Sequence, residues 1–265
     1  MIYDGHAYLG DNPAWAEMGL PVPLDGDAWV EMMDRSGIDG ALVAPPGVGA
    51  PQDFKPDLER IADAVKRYPD RLFGFCRVKP RRGRAALDEM RYWVEEHGFK
   101  ALKMNTLDDD YTLTDRRLLD PVIETAGDLG IPVFFHTGQE SFESCTPNMV
   151  ANLAVDFPDI TFIIGHMGFG GINGYPGAPE QLVAAMKRAP NTVTESAGVF
   201  NCKFIQDTVD AVGADRVLMG SNGPYSPIEL PRIMFQKHMN RLSDCEKEAI
   251  TGGNLLRILK LGERG

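Results

Sequence analysis

The sequence predicts a single-domain (β/α)8 barrel of the TIM type, and three observations carry that prediction. First, eight short apolar runs recur along the 265 residues: "MIYDGHAY", "GALVAPP", "LFGFCRV", "ALKMN", "PVFFHTG", "TFIIGHMG", "TVTESA" and "RVLMGSNGP". Second, landmarks near the ends of these runs, His6, Pro45, Cys76, Met104, His136, His166, Glu195 and Asn222, follow one another at 39, 31, 28, 32, 30, 29 and 27 residues. Each interval accommodates one strand, one helix and their loops. Third, no linker or change of composition divides the chain, so the eight units form one domain over 1–265. A doubly wound open sheet is the second architecture that this alternation allows.

Taken in order, the first run carries Asp4, His6 and Tyr8 at alternate positions, which places all three side chains on one face of an extended strand. A long loop, 10 to 26, follows and contains Trp15 and Met18. Leu58, Ile61, Val65 and Tyr68 make a helical stripe after the second run, and Leu118, Val122, Ala126 and Leu129 make another after the fourth, which itself contains Lys103. Asp120-Pro121 and Thr146-Pro147 each read as a capping side chain followed by a proline at the first helical position. A second long loop, 168 to 178, holds Phe169, Asn173 and Tyr175. "SPIE" at 226 to 229 and "SDCE" at 243 to 246 read as capping boxes, and the helices "CEKEAIT" and "NLLRILKL" would close the chain after the eighth unit. The runs are rich in Val, Ile and Phe, as expected of parallel strands covered on both faces. Long loops at strand ends are where barrel enzymes build their pockets, so Trp15, Phe169 and Tyr175 are the expected substrate-binding residues.

Composition bounds the function classes. A formal charge of −11 and a pI near 4.9 argue against nucleic acid or an anionic membrane as partner, because both reward clustered Lys and Arg. No apolar run approaches the roughly 18 residues of a membrane span. The chain opens on a strand-like run without a basic flank and cleavage site, so a cytoplasmic location is the expectation. Cys76, Cys145, Cys202 and Cys245 are widely spaced, with no CxxC pair, which reads as reduced thiols. The acidic run Asp108 to Asp110 reads as a solvated loop. "GFGGIN" at 168 to 173 has Asn173 in place of the last glycine of a dinucleotide fingerprint, and no phosphate-binding GxxxxGK occurs.

The five histidines are distributed unevenly. His6, His136 and His166 fall near the carboxyl ends of runs one, five and six, which converge on one mouth in a barrel, whereas His97 and His238 sit late in helices. Three imidazoles meeting by topology point to a shared functional site.

At these residues the chain resembles the amidohydrolase-related branch of the amidohydrolase superfamily, which contains decarboxylases, hydratases and lactone hydrolases. "MDRSGIDGALVAPP", "YPDRLFGFCRVKP", "GFKALKMN", "LLDPVIETAGDLGIPVFFHTG", "FPDITFIIGHMG" and "GADRVLMGSNGPYSP" carry the resemblance over nearly the whole chain. It implies a divalent metal, zinc by the usual ligand chemistry, with His6 and His136 as ligands and Asp4 or Glu195 completing the set. His166 then corresponds to a proton-shuttling histidine. Two positions depart from the family pattern. Tyr8 stands where a second metal-binding His is usual, and Asn222 where an Asp is usual. A phenol ligates well only as phenolate, and an amide brings neither charge nor basicity. Tyr8, Asn222, Lys103 and His166 are therefore the expected catalytic groups. Lys103 and Glu195 have a second, structural reading as an ion pair across the barrel, and Asp4 one as a strand-orienting acceptor.

The reading that follows is an enzyme with an atypical metal centre, hydrolysing or decarboxylating a small ring-containing or carboxylated molecule. Two alternatives stand beside it. One is metal-independent acid–base chemistry such as lactone opening, cyclisation or isomerisation; the other is an inactive ligand-binding relative. A small-molecule substrate is the expected partner, and a homodimer is compatible with the resemblance.

Overall fold

The structure, a computed structural model, describes residues 1–47, 53–138, 144–168 and 178–261. Eight parallel strands run in sequence order around a barrel: β1 (Tyr3–Tyr8), β2 (Gly40–Ala44), β3 (Leu72–Cys76), β4 (Ala101–Met104), β5 (Val133–Phe135), β6 (Phe162–Ile164), β7 (Thr192–Glu195) and β8 (Val217–Leu218). Every landmark chosen in the sequence lies in, or within four residues after, its strand. Closure between the first and last strands runs partly beyond β8. Gly5 N donates to Met219 O (2.8 Å), Asn222 N to His6 O (2.9 Å) and Tyr8 N to Gly223 O (2.8 Å). These bonds exclude the open doubly wound sheet, whose edges stay unpaired.

Helices cover the outside at each crossover. Lys55–Arg67 buries Leu58 and Ile61 as the stripe predicted, with Val65 and Tyr68 partly covered. Thr146 caps Pro147–Asp156, accepting from Met149 N, and the Ser243/Glu246 capping box is formed in full. Two predicted starts are corrected. The helix expected to begin at Pro121 begins one turn earlier (Arg116–Asp128), because Leu118 N and Leu119 N already bond to Asp115 O and Arg116 pairs with Asp120 and Asp156. Pro121 therefore sits inside it. Nor is "SPIE" a capping box: the Ser226 hydroxyl donates to Ser221 O, and the helix starts at Leu230.

Among the described residues, no helix is long and apolar enough to cross a membrane. The four cysteines are free thiols. Phe169, Asn173 and Tyr175 lie outside the described residues.

Candidate active site

The site is built at the carboxyl ends of the strands. Asp4, His6 and Tyr8 all face the barrel interior and are buried, as their alternation predicted, although the register of β1 against β2 shifts between Asp4 and Ala7. Trp29 fixes the end of β1 by donating its indole N–H to Tyr8 O at 2.6 Å.

His6 is the hub. Its Nδ1 faces Glu195 Oε1 at 3.0 Å, while its Nε2 faces the Tyr8 hydroxyl at 3.2 Å and Lys103 Nζ. An ionised carboxylate only accepts, so Nδ1 carries the proton and Nε2 presents its lone pair. Burial, then the neighbouring Lys103 charge, holds the His6 imidazole well below its usual pKa and keeps it neutral. Glu195 also accepts from His166 N (2.6 Å) and Ala197 N. Burial alone would raise its pKa, but His6, His166 and these N–H groups outweigh that and keep it ionised.

Lys103 is buried and donates to Tyr8 OH at 2.9 Å. Burial and the nearby Arg77 charge push its ammonium well below the ordinary lysine range. The expected direct ion pair between Lys103 and Glu195 is not formed, because His6 stands between them. Burial raises the Tyr8 phenol, so Tyr8 is a hydroxyl donor and not a phenolate.

His166 is held in left-handed backbone geometry at φ 52°. Its Nδ1 lies 2.8 Å from Ala197 O, a pure acceptor, which fixes the proton on Nδ1 and leaves Nε2 to accept from His136 Nδ1 at 3.3 Å. The three strand-end imidazoles therefore form one group, with ring centroids 5.0 Å apart for His6 and His166 and 4.5 Å for His136 and His166.

Asp4 shares that interior face but bonds Ser221 and the backbone, not the imidazole rings. It accepts from Ser221 N (2.9 Å), His6 N (3.1 Å) and the Ser221 hydroxyl, and burial raises its carboxyl to about 7. That is the strand-orienting role, joining β1 to the segment after β8.

Above this cluster lies a cavity of about 300 Å³ lined by Tyr8, His136, Asn222, Arg77, Asn105 and Asp108, among others. Asn222, at φ 60°, has its Oδ1 buried with no hydrogen-bond partner among the described residues. Trp15 does not line the cavity; it is fully buried with its ring 5.8 Å from that of Tyr225, which does. Of the acidic run, Asp110 is exposed as expected, but Asp108 and Asp109 are not simply solvated. Asp108 pairs with Arg77 at 2.7 Å, and Asp109 is buried beside the same guanidinium. Sequence reasoning missed Arg77, Asn105 and Asp108. The available signal was a charged residue directly after the apolar run "LFGFC", at the carboxyl end of a barrel strand.

Among the described residues, His6, His166 and Glu195 form the group whose ligand atoms lie close enough for a metal ion, within 4.8 Å of one another and all buried. Two imidazoles and a carboxylate suit a divalent transition metal, so the donor set fits one. Of the ligands expected from sequence, His6 and Glu195 are in this group. His166 stands in it where His136 was expected, and Asp4 is engaged by Ser221 instead.

An eight-stranded barrel that gathers buried histidines and a carboxylate at its strand ends defines the class: a (β/α)8 barrel with a candidate metal-binding mouth. The amidohydrolase family model matches residues 4–261, and the chain belongs to that family. A gamma-resorcylate decarboxylase of Polaromonas sp. is 23% identical over 311 aligned positions, covering 98% of this chain and 94% of that protein. Among solved structures, a 5-carboxyvanillate decarboxylase of Novosphingobium aromaticivorans, complexed with manganese and 4-hydroxy-3-methoxy-5-nitrobenzoic acid, superposes with a TM-score of 0.77 at 17% identity. The match covers 98% of this chain and 96% of that one. A dihydroxybenzoic acid decarboxylase of Polaromonas sp., with bound manganese and the inhibitor 2-nitroresorcinol, gives 0.73 at 19% identity, over 98% and 97% of the two chains. The metal in these two relatives is manganese; zinc is not singled out.

Proposed function

We propose that this chain is a carboxy-lyase that removes CO2 from a small aromatic carboxylic acid. One observation carries the reading: two residues that line the cavity, Tyr8 and His136, each hydrogen-bond into the buried cluster, Tyr8 to His6 and His136 to His166. A substrate in the cavity therefore touches groups wired to the centre beneath. The volume of about 300 Å³ accommodates a single substituted ring. The names of the full-length relatives support the substrate class.

In such a reaction a proton adds to the ring carbon that bears the carboxylate, the bond to the carboxyl carbon breaks, its electron pair returns to the ring and CO2 leaves. His136, with His166 behind it, is the group placed to hold that proton at the cavity wall. Tyr8, kept as a phenol and oriented by Lys103, has a single proton; it turns that proton from His6 Nε2 to charge that develops on the ring, while Lys103 Nζ remains on the His6 lone pair. His6, His166 and Glu195 would hold a divalent ion, which when bound supplies Lewis-acid stabilisation of a substrate oxygen.

A second reading, acid–base chemistry without metal, is favoured by Lys103, which occupies the lone-pair side of His6 Nε2. Purified protein assayed with 2,6-dihydroxybenzoate and 5-carboxyvanillate, with manganese, with zinc and after chelation, tests both readings. CO2 release restored by metal after chelation supports the first. Full turnover in metal-free protein supports the second. No CO2 from either acid under any of these conditions overturns the carboxy-lyase reading.

A further inference from the structure

Two residues that line the cavity, Arg77 and Asn222, carry buried hydrogen-bonding atoms of opposite sign with no partner among the described residues. Arg77 is completely buried, its guanidinium 4.1 Å from the centre of the Phe54 ring and its Nη2 bonded to Asp108. Its Nε and Nη1 are buried with no hydrogen-bond partner among the described residues. Asn222 Oδ1 is likewise buried and without a donor. Both residues line the same cavity. An unsatisfied buried polar group costs about 1–3 kcal/mol, so a chain that retains two beside one cavity gains when a ligand satisfies them.

We infer that Arg77 and Asn222 are a two-point reader of the substrate, Arg77 taking an acceptor oxygen of its carboxylate and Asn222 Oδ1 accepting from a hydroxyl on its ring. The assignment rests on the carboxy-lyase reading and deepens it, because it names the residues that decide which acids enter. Asp108 and Asp109 engage the Nη2 end of the guanidinium, leaving its other nitrogens for the ligand. Asn222 stands at the family's acidic position, and as a neutral amide it reads a donor there without repelling an anion. A site built to pair with a hydroxyl discriminates strongly against the analogue that lacks it, because its own buried group is then left unpaired.

Calorimetric binding of 2-hydroxybenzoate, benzoate and phenol tests the reader without turnover. Wild-type protein is expected to bind 2-hydroxybenzoate about 10-fold or more tightly than either analogue. In Asn222→Leu the preference over benzoate collapses while the preference over phenol remains; in Arg77→Met the pattern reverses. Arg77→Lys and Asn222→Ser serve if the first variants fail to fold. In wild-type protein, the Arg77 Nε–H signal in ¹⁵N-arginine spectra is expected to move with 2-hydroxybenzoate and not with phenol. Equal binding of the three probes by wild type, or both preferences falling together in either variant, overturns the reader. Selective binding with no CO2 release would instead leave the reader standing and overturn the carboxy-lyase reading.

Discussion

Lys103 Nζ lies 2.9 Å from the Tyr8 hydroxyl and 4.2 Å from the centre of the Tyr8 ring, with Lys103 itself fully buried in the barrel interior. A strand-four lysine thus holds the strand-one phenol in place, while that phenol forms part of the cavity floor. The contact is local, but it links the buried cluster to the surface that meets substrate.

Burial of Lys103 has a thermodynamic consequence. Its pKa in the folded protein lies well below the ordinary lysine value, so between that depressed pKa and the unfolded value of about 10 the unfolded chain binds more protons than the folded one. Stability therefore rises with pH across that window. Lys103→Met should flatten the rise and increase the melting temperature at pH 7, by roughly 2–4 °C for each kcal/mol recovered. Thermal scans from pH 7 to 10 check this; an unchanged slope would show that Lys103 is charged when folded.

Asp4 acts in the opposite sense. Its folded pKa of about 7 exceeds the ordinary carboxylate value of 3.8, so the folded chain keeps a proton that the unfolded chain releases. Its contribution is most favourable below pH 4 and is lost as pH rises to 7, by roughly 4 kcal/mol at most. Asp4→Asn keeps an acceptor for Ser221 N and should melt higher than wild type at pH 8, with the difference vanishing near pH 4.

Glu195 meets three donors, His6 Nδ1–H, His166 N–H and Ala197 N–H, with two carboxylate oxygens. An amide has one acceptor oxygen, so Glu195→Gln leaves at least one donor facing an NH2 group. A loss of about 1–3 kcal/mol of stability is expected, measured by denaturant titration. Manganese affinity should also fall, since the carboxylate belongs to the candidate ligand group.

His166→Ala should lower kcat by about 10²-fold or more on whichever aromatic acid is turned over. It removes the acceptor for His136 Nδ1–H and one imidazole of the ligand group. Steady-state kinetics check it. Turnover within threefold of wild type would mean that His166 only fills space.

How much of this was legible in the chain differs from residue to residue. The alternation of Asp4, His6 and Tyr8 gave their common face, because side chains in a strand repeat every two residues. The spacing of His6, His136 and His166 gave their convergence, because parallel strands in a barrel end at one mouth. Pro121 misled, since proline marks a first helical turn only when nothing upstream extends the helix. Asp108 and Asp109 misled as well, because a run of like charges looks solvated until an arginine buried 31 residues earlier in the chain is seen to pair with it.

By itself, the sequence determined the barrel, its eight units and the histidines that face its mouth, since each follows from local periodicity and spacing. Only the tertiary structure decided which atoms meet. It turned Asp4 to Ser221 and not to the imidazoles, set His6 between Lys103 and Glu195, and brought Arg77 and Asn222 to one cavity. Hydrogen-bond partners depend on side-chain directions fixed by packing between strands far apart in the chain, and no single stretch of sequence contains both ends of such a bond.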